Sequence, residues 1–265
     1  MRLKDKVIIV TGSTTGIGKA IAKRAVAEGA KVIIHGLEED LGIQVVSELG
    51  AENAKIHIED ISNEGATQRL VDFALDSWGR IDSVVNNAAI VAASTILTTD
   101  QVFLTRLLEV NTMAPLFLIK SALPHLIESH GAVLNIGSIN AWSGEHNLLA
   151  YSISKGALMT MTRNLGDSLF RESGVRVNQI NPGWVLTENE IKRKKEHGLP
   201  DKWYKDLPAF YAPAGRIIWP EEIAAAAIYW LSDESGPISG QVVDLEQFPM
   251  IGRNVPKDNS TIPHK

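Results

Sequence analysis

Tyr151 and Lys155 stand four residues apart in the stretch YSISK, and Ser138 lies thirteen residues before the tyrosine. On a helix, residues four apart share a face, so a helical stretch here would point the phenol and the amine the same way. A phenol ionises near pH 10, leaving about one part in a thousand as phenolate at neutral pH. A neighbouring ammonium can lower that value by about 1–3 units, and a second positive charge can lower it further. The spacing therefore suits a proton-transferring pair in which Lys155 makes Tyr151 usable near neutrality. Ser138 follows the apolar run AVLNIG, where its hydroxyl would hold a substrate oxygen beside the tyrosine. Taken alone, YSISK fits a packed tyrosine and a solvated lysine equally well.

A glycine-rich turn supplies a second piece of chemistry. Residues 11–18 read TGSTTGIG directly after an apolar run, with glycines at Gly12, Gly16 and Gly18. This is not the phosphate loop of nucleoside triphosphatases, because Ser13 stands five residues before Gly18 and Ala20 follows Lys19. Nor is it the GxGxxG pattern. The physics is shared, however. Glycines allow a tight turn and a close approach of a pyrophosphate to the backbone. A helix beginning near Ile17 would present free N–H groups and the positive end of its dipole.

These residues need a frame. Seven short β-branched runs, at 6–10, 31–35, 55–59, 83–86, 132–137, 175–180 and 241–245, alternate with longer helical patterns. Several are apolar on both faces, as strands covered on both sides are. The alternation predicts a parallel sheet with right-handed crossovers. One helical pattern, about 100–128, contains Pro115, which has no N–H to offer the carbonyl four residues back, that of Asn111. The freed carbonyl would accept from a water bonded to Lys155 and relay protons outward. Within the same pattern MAPLFLIKSALPHLI is apolar nearly all round, so one face should meet the sheet and the other a second subunit.

Composition excludes much else. The chain has 265 residues, 45% hydrophobic and 22% charged, with no cysteine, which removes disulfides, thiolate metal sites and cysteine nucleophiles. That absence fits a reducing cytoplasm. The net charge of −5 argues against nucleic acid or an anionic membrane as partner. The basic run 192–195 reads as a solvated helix face. No apolar run reaches the roughly 18 residues of a membrane span, and the opening MRLKDKVIIVTG is too weakly apolar for a signal peptide. The seven histidines show no metal-ligand spacing; His125 and His130 are five apart. No metal is expected.

Taken together, TGSTTGIG (11–18), DIS (60–62), NNAA (86–89), Asn111, Ser138, YSISK (151–155) and NPGWVLT (181–187) resemble the short-chain dehydrogenase/reductase family, over about residues 4–245. The resemblance implies a Rossmann-type doubly wound α/β fold, a mainly parallel seven-stranded sheet with helices on both faces. It implies one catalytic domain over 1–245, a substrate lid at about 184–218 and an extended tail over 246–265. It implies a nicotinamide dinucleotide as cofactor and Asn111, Ser138, Tyr151 and Lys155 as the catalytic set. The cofactor would meet Gly12, Thr14, Thr15, Gly16 and Ile17 at the turn, Gly36 and Leu37 after the second strand, and Asp60 and Ile61 at the adenine. Asn86, Asn87 and Ala88 would lie at the adenosine ribose, and Ala89 and Tyr151 would also meet the cofactor; Pro182, Gly183, Val185 and Thr187 would lie at the nicotinamide end, and Lys155 at its ribose. Dimers or tetramers are implied too. The chain departs from the family at Ala89, where glycine is usual, and at VVDLEQF, where Val-Asp-Gly-Gly is common.

The second strand ends KVIIHGLEED, and Gly36 and Leu37 stand where an acid would select NAD or an arginine NADP. Thr15 leaves the other basic position empty. Glu38, Glu39 and Asp40 repel a 2′-phosphate, so NAD is preferred, with NADP open; the same three acids also suit a helix start. His35 reads as a strand residue with no ligand role. Asn140, Trp142, His146 and Trp184, with Ser138 and Tyr151, are the candidate substrate contacts, and the lid adds Trp203, Tyr204, Phe210 and Tyr211. Aromatic faces with polar side chains suit a sugar or polyol. The expected activity is hydride exchange between a secondary alcohol and a ketone in a cytoplasmic enzyme. Reduction of a cyclic or steroid-like ketone with NADPH, and a non-catalytic nucleotide sensor, stay as alternatives.

Overall fold

All seven expected runs become strands: β1 (Val7–Val10), β2 (Lys31–Gly36), β3 (Ala54–Ile58), β4 (Ser83–Asn86), β5 (Ala132–Ile136), β6 (Arg176–Pro182) and β7 (Val242–Leu245). The computed structural model describes residues 1–249 and Ile251. The strands form one sheet in the order β3-β2-β1-β4-β5-β6-β7, and every pairing among them is parallel. Strand order reverses between β1 and β4, which opens a crevice at their carboxyl ends.

Helices connect the strands. They are α1 (Gly16–Ala27), α2 (Glu39–Leu49), α3 (Ala66–Trp78), α4 (Gln101–Leu108), α5 (Ala114–Glu128), the short α6 (Asn140–Ser143), α7 (Leu149–Ser173), α8 (Glu188–Glu196) and α9 (Pro220–Leu231). Strand side chains alternate between two cores. Ile8, Val10, Val32, Ile34, Leu134 and Ile180 pack with Ile21, Ala25 and Val45 of α1 and α2 and with Ile223 and Ala227 of α9. Ile9, Ile33, Val84, Val133 and Val177 pack on the other face with Leu70 and Ala74 of α3 and Leu118 and Leu126 of α5. Apolar runs without alternation in the sequence are thus strands buried on both sides.

The expected helix over 100–128 forms as three joined pieces, with a π-helical turn (Glu109–Met113) between α4 and α5 and Pro115 in the first turn of α5. A proline that cannot donate forces the ladder to change register, and a widened turn absorbs the change. Against the expectation of no span-length segment, the joined helix Gln101–Glu128 is long and apolar enough to cross a membrane. Its Leu107, Leu118, Ala122 and Leu126 are nevertheless buried in the protein. On its outer side Met113, Leu116, Phe117 and Ile127 are exposed.

The lid is a separate small assembly. Trp203, Ala212 and Ile217 are buried together, with Trp184, Leu186, Leu199, Tyr204 and Leu207 around them. The first residues of the expected extended tail are bonded to the lid. Trp184 N–H donates to Glu246 Oε2 (2.9 Å), and Gln247 accepts from Ala214 N–H (2.9 Å) and donates to the Arg216 carbonyl (2.8 Å). These bonds tie the chain past β7 to the lid. Met250 and residues 252–265 of the expected tail lie outside the described residues.

Candidate active site

The glycine turn between β1 and α1 is held from two sides. Thr11 Oγ1 donates to the Val85 carbonyl (3.3 Å) and accepts from the Asn87 and Ala88 amides (3.0 and 3.1 Å). Asn87 Nδ2 returns bonds to the Thr11 and Gly12 carbonyls, both at 2.9 Å. On the β2 side, Ser13 N–H donates to the His35 carbonyl and Ser13 Oγ accepts from His35 N–H. Gly12 adopts φ +62°, and a Cβ there would stand 2.8 Å from Ala88 Cα. The turn is therefore pressed against the β4 loop with no room for a side chain, which leaves a backbone cradle at the start of α1. Such a cradle fits the diphosphate of a dinucleotide. Thr15 is the N-cap of α1, yet its hydroxyl makes no capping bond, so the first amides of α1 are not satisfied by the helix's own cap.

Gly36 ends β2 directly beneath Thr14, whose Cγ2 lies 2.6 Å from where a Cβ would be. An acid at position 36 has no space there, because Thr14 fills it. Two residues on, Glu38 reaches the turn: Thr14 Oγ1 donates to Glu38 Oε2 (2.8 Å), while Leu37 is exposed. Glu38 belonged to an acidic cluster in the sequence, and only the fold singles it out from Glu39 and Asp40. Asp60 accepts from Ser62 and from Arg106, and Ile61 is buried. Ala89 needs no glycine: it is exposed and is not among the described residues with positive φ.

Tyr151 and Lys155 lie in the first two turns of α7 and Ser138 follows β5. All three are buried. The Ser138 side chain neighbours the Tyr151 hydroxyl and favours its ionised form, and Ser138 Oγ accepts from the Asn140 amide (3.2 Å). Lys155 Nζ donates to the Ile136 carbonyl (2.8 Å) and stands 5.8 Å from the Tyr151 ring centroid. The shared face expected from the spacing is present. The expected lowering of the phenol is not: burial raises the Tyr151 hydroxyl above its usual value, and the nearby Ser138 side chain and the Arg193 charge only partly oppose this. Burial also brings Lys155 down to about 8. The amine is spent on a backbone carbonyl, so in the protein alone desolvation wins over charge.

Asn111 is fully buried in the π-helical turn. Its Oδ1 accepts from Ile90 N–H (2.8 Å), and its Nδ2 donates to the Ile90 carbonyl and to Ser154 Oγ (both 3.0 Å). Ser154 in turn donates to the Tyr151 carbonyl. The side chain thus joins the β4 loop to the helix of Tyr151, a linkage that reasoning from the Asn111 carbonyl did not anticipate.

A buried polar chain runs beneath the site, also unforeseen. Asn86 Nδ2 donates to Asn135 Oδ1, Asn135 Nδ2 to Thr162 Oγ1, and Thr162 Oγ1 to Gln179 Oε1. Gln179 Nε2 then donates to Asn181 Oδ1, which also accepts from the Ser138 amide (3.1 Å). Asn181 Nδ2 and Trp142 Nε1 both donate to Asp244 Oδ1. Trp142 lies under Arg163, and His146 is exposed. Trp184 stacks on Trp203 and donates to Glu190 Oε1, so its ring is committed to the lid. Pro182 ends β6, Val185 bridges to Ile218, and Thr187 caps α8 by accepting from Glu190 N–H. The Thr187 methyl reaches within 3.2 Å of the Cβ position of Gly16, bringing the end of β6 to the glycine turn.

Comparison with known proteins gives the family and agrees with the fold. A family model described as enoyl-(acyl carrier protein) reductase matches residues 12–246. The meso-2,3-butanediol dehydrogenase of Serratia marcescens is 30% identical over 93% of this chain and 95% of its own length. The glucose 1-dehydrogenase 2 of Bacillus subtilis is 33% identical over 92% of this chain and 94% of its own. The L-sorbose reductase of Gluconobacter frateurii, solved with NADPH and L-sorbose, superposes with a TM-score of 0.86 at 26% identity, covering 93% of this chain and 97% of that one. The chain belongs to the short-chain dehydrogenase/reductase family, oxidoreductases that act on CH–OH groups with NAD or NADP.

Proposed function

We propose that this protein interconverts a secondary alcohol and a ketone on a sugar or polyol, using Ser138, Tyr151 and Lys155 as its chemical groups. The observation that carries the reading is the burial of Ser138, Tyr151 and Lys155 together, with Lys155 Nζ 5.8 Å from the Tyr151 ring centroid, in a fold that carries the glycine turn. The nicotinamide, when bound, accepts or supplies the hydride. Ser138 holds the substrate oxygen, and Tyr151 takes its proton in oxidation or returns one in reduction. Lys155 holds the nicotinamide ribose and, with the positive charge of the oxidised cofactor, offsets the burial that raises Tyr151. Asn111 is a positioning residue that fixes the helix carrying Tyr151.

Gly12 and Gly16, with the first N–H groups of α1, would hold the diphosphate, and Asn87 and Ala88 the adenosine ribose. Glu38, anchored on Thr14, faces the turn with a carboxylate and no compensating base at Gly36, Leu37 or Thr15, which favours NAD over NADP. The relatives acting on butanediol, glucose and sorbose support a polyhydroxylated substrate. The exposed apolar residues Met113, Leu116 and Phe117 support a homodimer or homotetramer built on α5 and α7. We place the enzyme in the cytoplasm, as a chain of one catalytic domain with a lid.

Titration with NAD and NADP separately, then turnover on sugars, polyols and cyclic alcohols, tests the reading. Tighter binding of NAD with turnover of a polyol is expected. Equal affinity for both cofactors would remove the preference, and turnover of cyclic alcohols alone would remove the substrate class.

A further inference from the structure

The diphosphate cradle already has an occupant. Gly16 N–H, the first amide of α1, donates to Glu188 Oε2 at 3.1 Å. Glu188 is the first residue of α8, on the lid. Its own helix does not need it as a cap, because Thr187 Oγ1 already accepts from Glu190 N–H. The side chain turns instead to the amino end of another helix. Asn189 makes a long contact alongside, its Nδ2 3.5 Å from Thr15 Oγ1, and Thr187 packs against Gly16. Three consecutive lid residues therefore sit on the turn, with a carboxylate where an anion is best held.

We propose that Glu188 is a built-in competitor for the diphosphate of the dinucleotide, linking cofactor entry to release of the start of α8 from the glycine turn. The inference rests on the dinucleotide reading above. A phosphate and a carboxylate cannot both accept from one amide at close range, and like charges held together in a half-exposed cleft repel. Entry of the cofactor must displace Glu188, and its return helps the spent cofactor leave. The protein gives up affinity for a faster exit, and the lid is told whether the cradle is full.

The test compares ADP-ribose, which carries the diphosphate, with adenosine, which does not. Dissociation constants for both are measured by calorimetry or ligand-observed NMR on the intact chain, its Glu188→Gln variant and its Glu188→Ala variant. ADP-ribose is expected to bind about fivefold tighter to both variants at low salt, with the gain shrinking as salt screens the repulsion. Adenosine should bind all three alike. Unchanged or weaker ADP-ribose binding in both variants would overturn the proposal, as would equal tightening of adenosine, which would mean a reshaped pocket and not a removed charge. Failure of every form to bind ADP-ribose would overturn the proposal together with the dinucleotide reading.

Discussion

The glycine turn and the lid face each other across the same crevice and are held by opposite means. Around the turn, backbone groups bond to one another or to short buried side chains such as Thr11, Ser13 and Asn87. The lid is held by long side chains. Arg193 and Lys194 pair with Glu190, Lys195 pairs with Asp201, and Trp184 stacks on Trp203. Short buried groups leave few alternative arrangements, whereas long side chains have many, and the exposed Lys195–Asp201 pair exchanges with water at little cost. One side of the crevice is thus built to keep its shape and the other to change it.

The contrast can be broken at several points. The largest effect should come from Tyr151→Phe, which leaves the rigid side intact but removes the proton-transferring hydroxyl. Turnover should fall about a thousandfold while the dinucleotide dissociation constant stays within about twofold. A comparable loss of binding would show that the phenol shapes the cradle.

Next in size is a weak spot in the rigid side. His35 follows Ile33 on the same face of β2, is 2% exposed, and neither ring nitrogen has a hydrogen-bond partner. Burial, then the charge of His57, holds it down to about 4, against 6.5 for a free histidine. The unfolded chain therefore takes up the proton first. Stability should be flat above about pH 7 and fall by about 3 kcal/mol as pH drops from 6.5 to 4. Urea unfolding at pH 7 and pH 4.5 should show this slope, and His35→Leu should flatten it.

Thr11→Val should cost about 2–3 kcal/mol, because two amides lose their acceptor, and urea unfolding at pH 7 measures it. Across the crevice, Gly183→Ala would place a Cβ 1.8 Å from Glu246 Oε2. About 2 kcal/mol of destabilisation is expected, most of it relieved in the double variant with Glu246→Ala. An additive double variant would mean that the lid absorbs the clash elsewhere. The smallest effect belongs to Arg216→Ala, which breaks an exposed pair with Glu222 and should cost under about 1 kcal/mol in thermal unfolding.

The same contrast explains what could be read from the sequence. All seven strands were legible because parallel strands buried on both faces leave unbroken β-branched runs. The turn and the Tyr151–Lys155 spacing were legible because backbone geometry and helix periodicity dictate them. Glu38 and Glu188 were not, since each is one of several neighbouring acids and only the folded crevice brings it to Thr14 or Gly16. The polar chain from Asn86 to Asp244 was hidden for another reason: its members come from separate strands, and register across a sheet is invisible in one dimension. The raised Tyr151 was missed because the spacing reports a neighbour but not its solvation.

Gln247, just past the last strand, holds the loop at Ala214 and Arg216 from both of its amide atoms. Two stretches some thirty residues apart therefore behave as one exchangeable cassette. Transplanting the mouth of a related enzyme onto this scaffold would fail if the segment after β7 stayed behind, and a fusion or trimming there would be felt as altered substrate preference well before it was felt as unfolding.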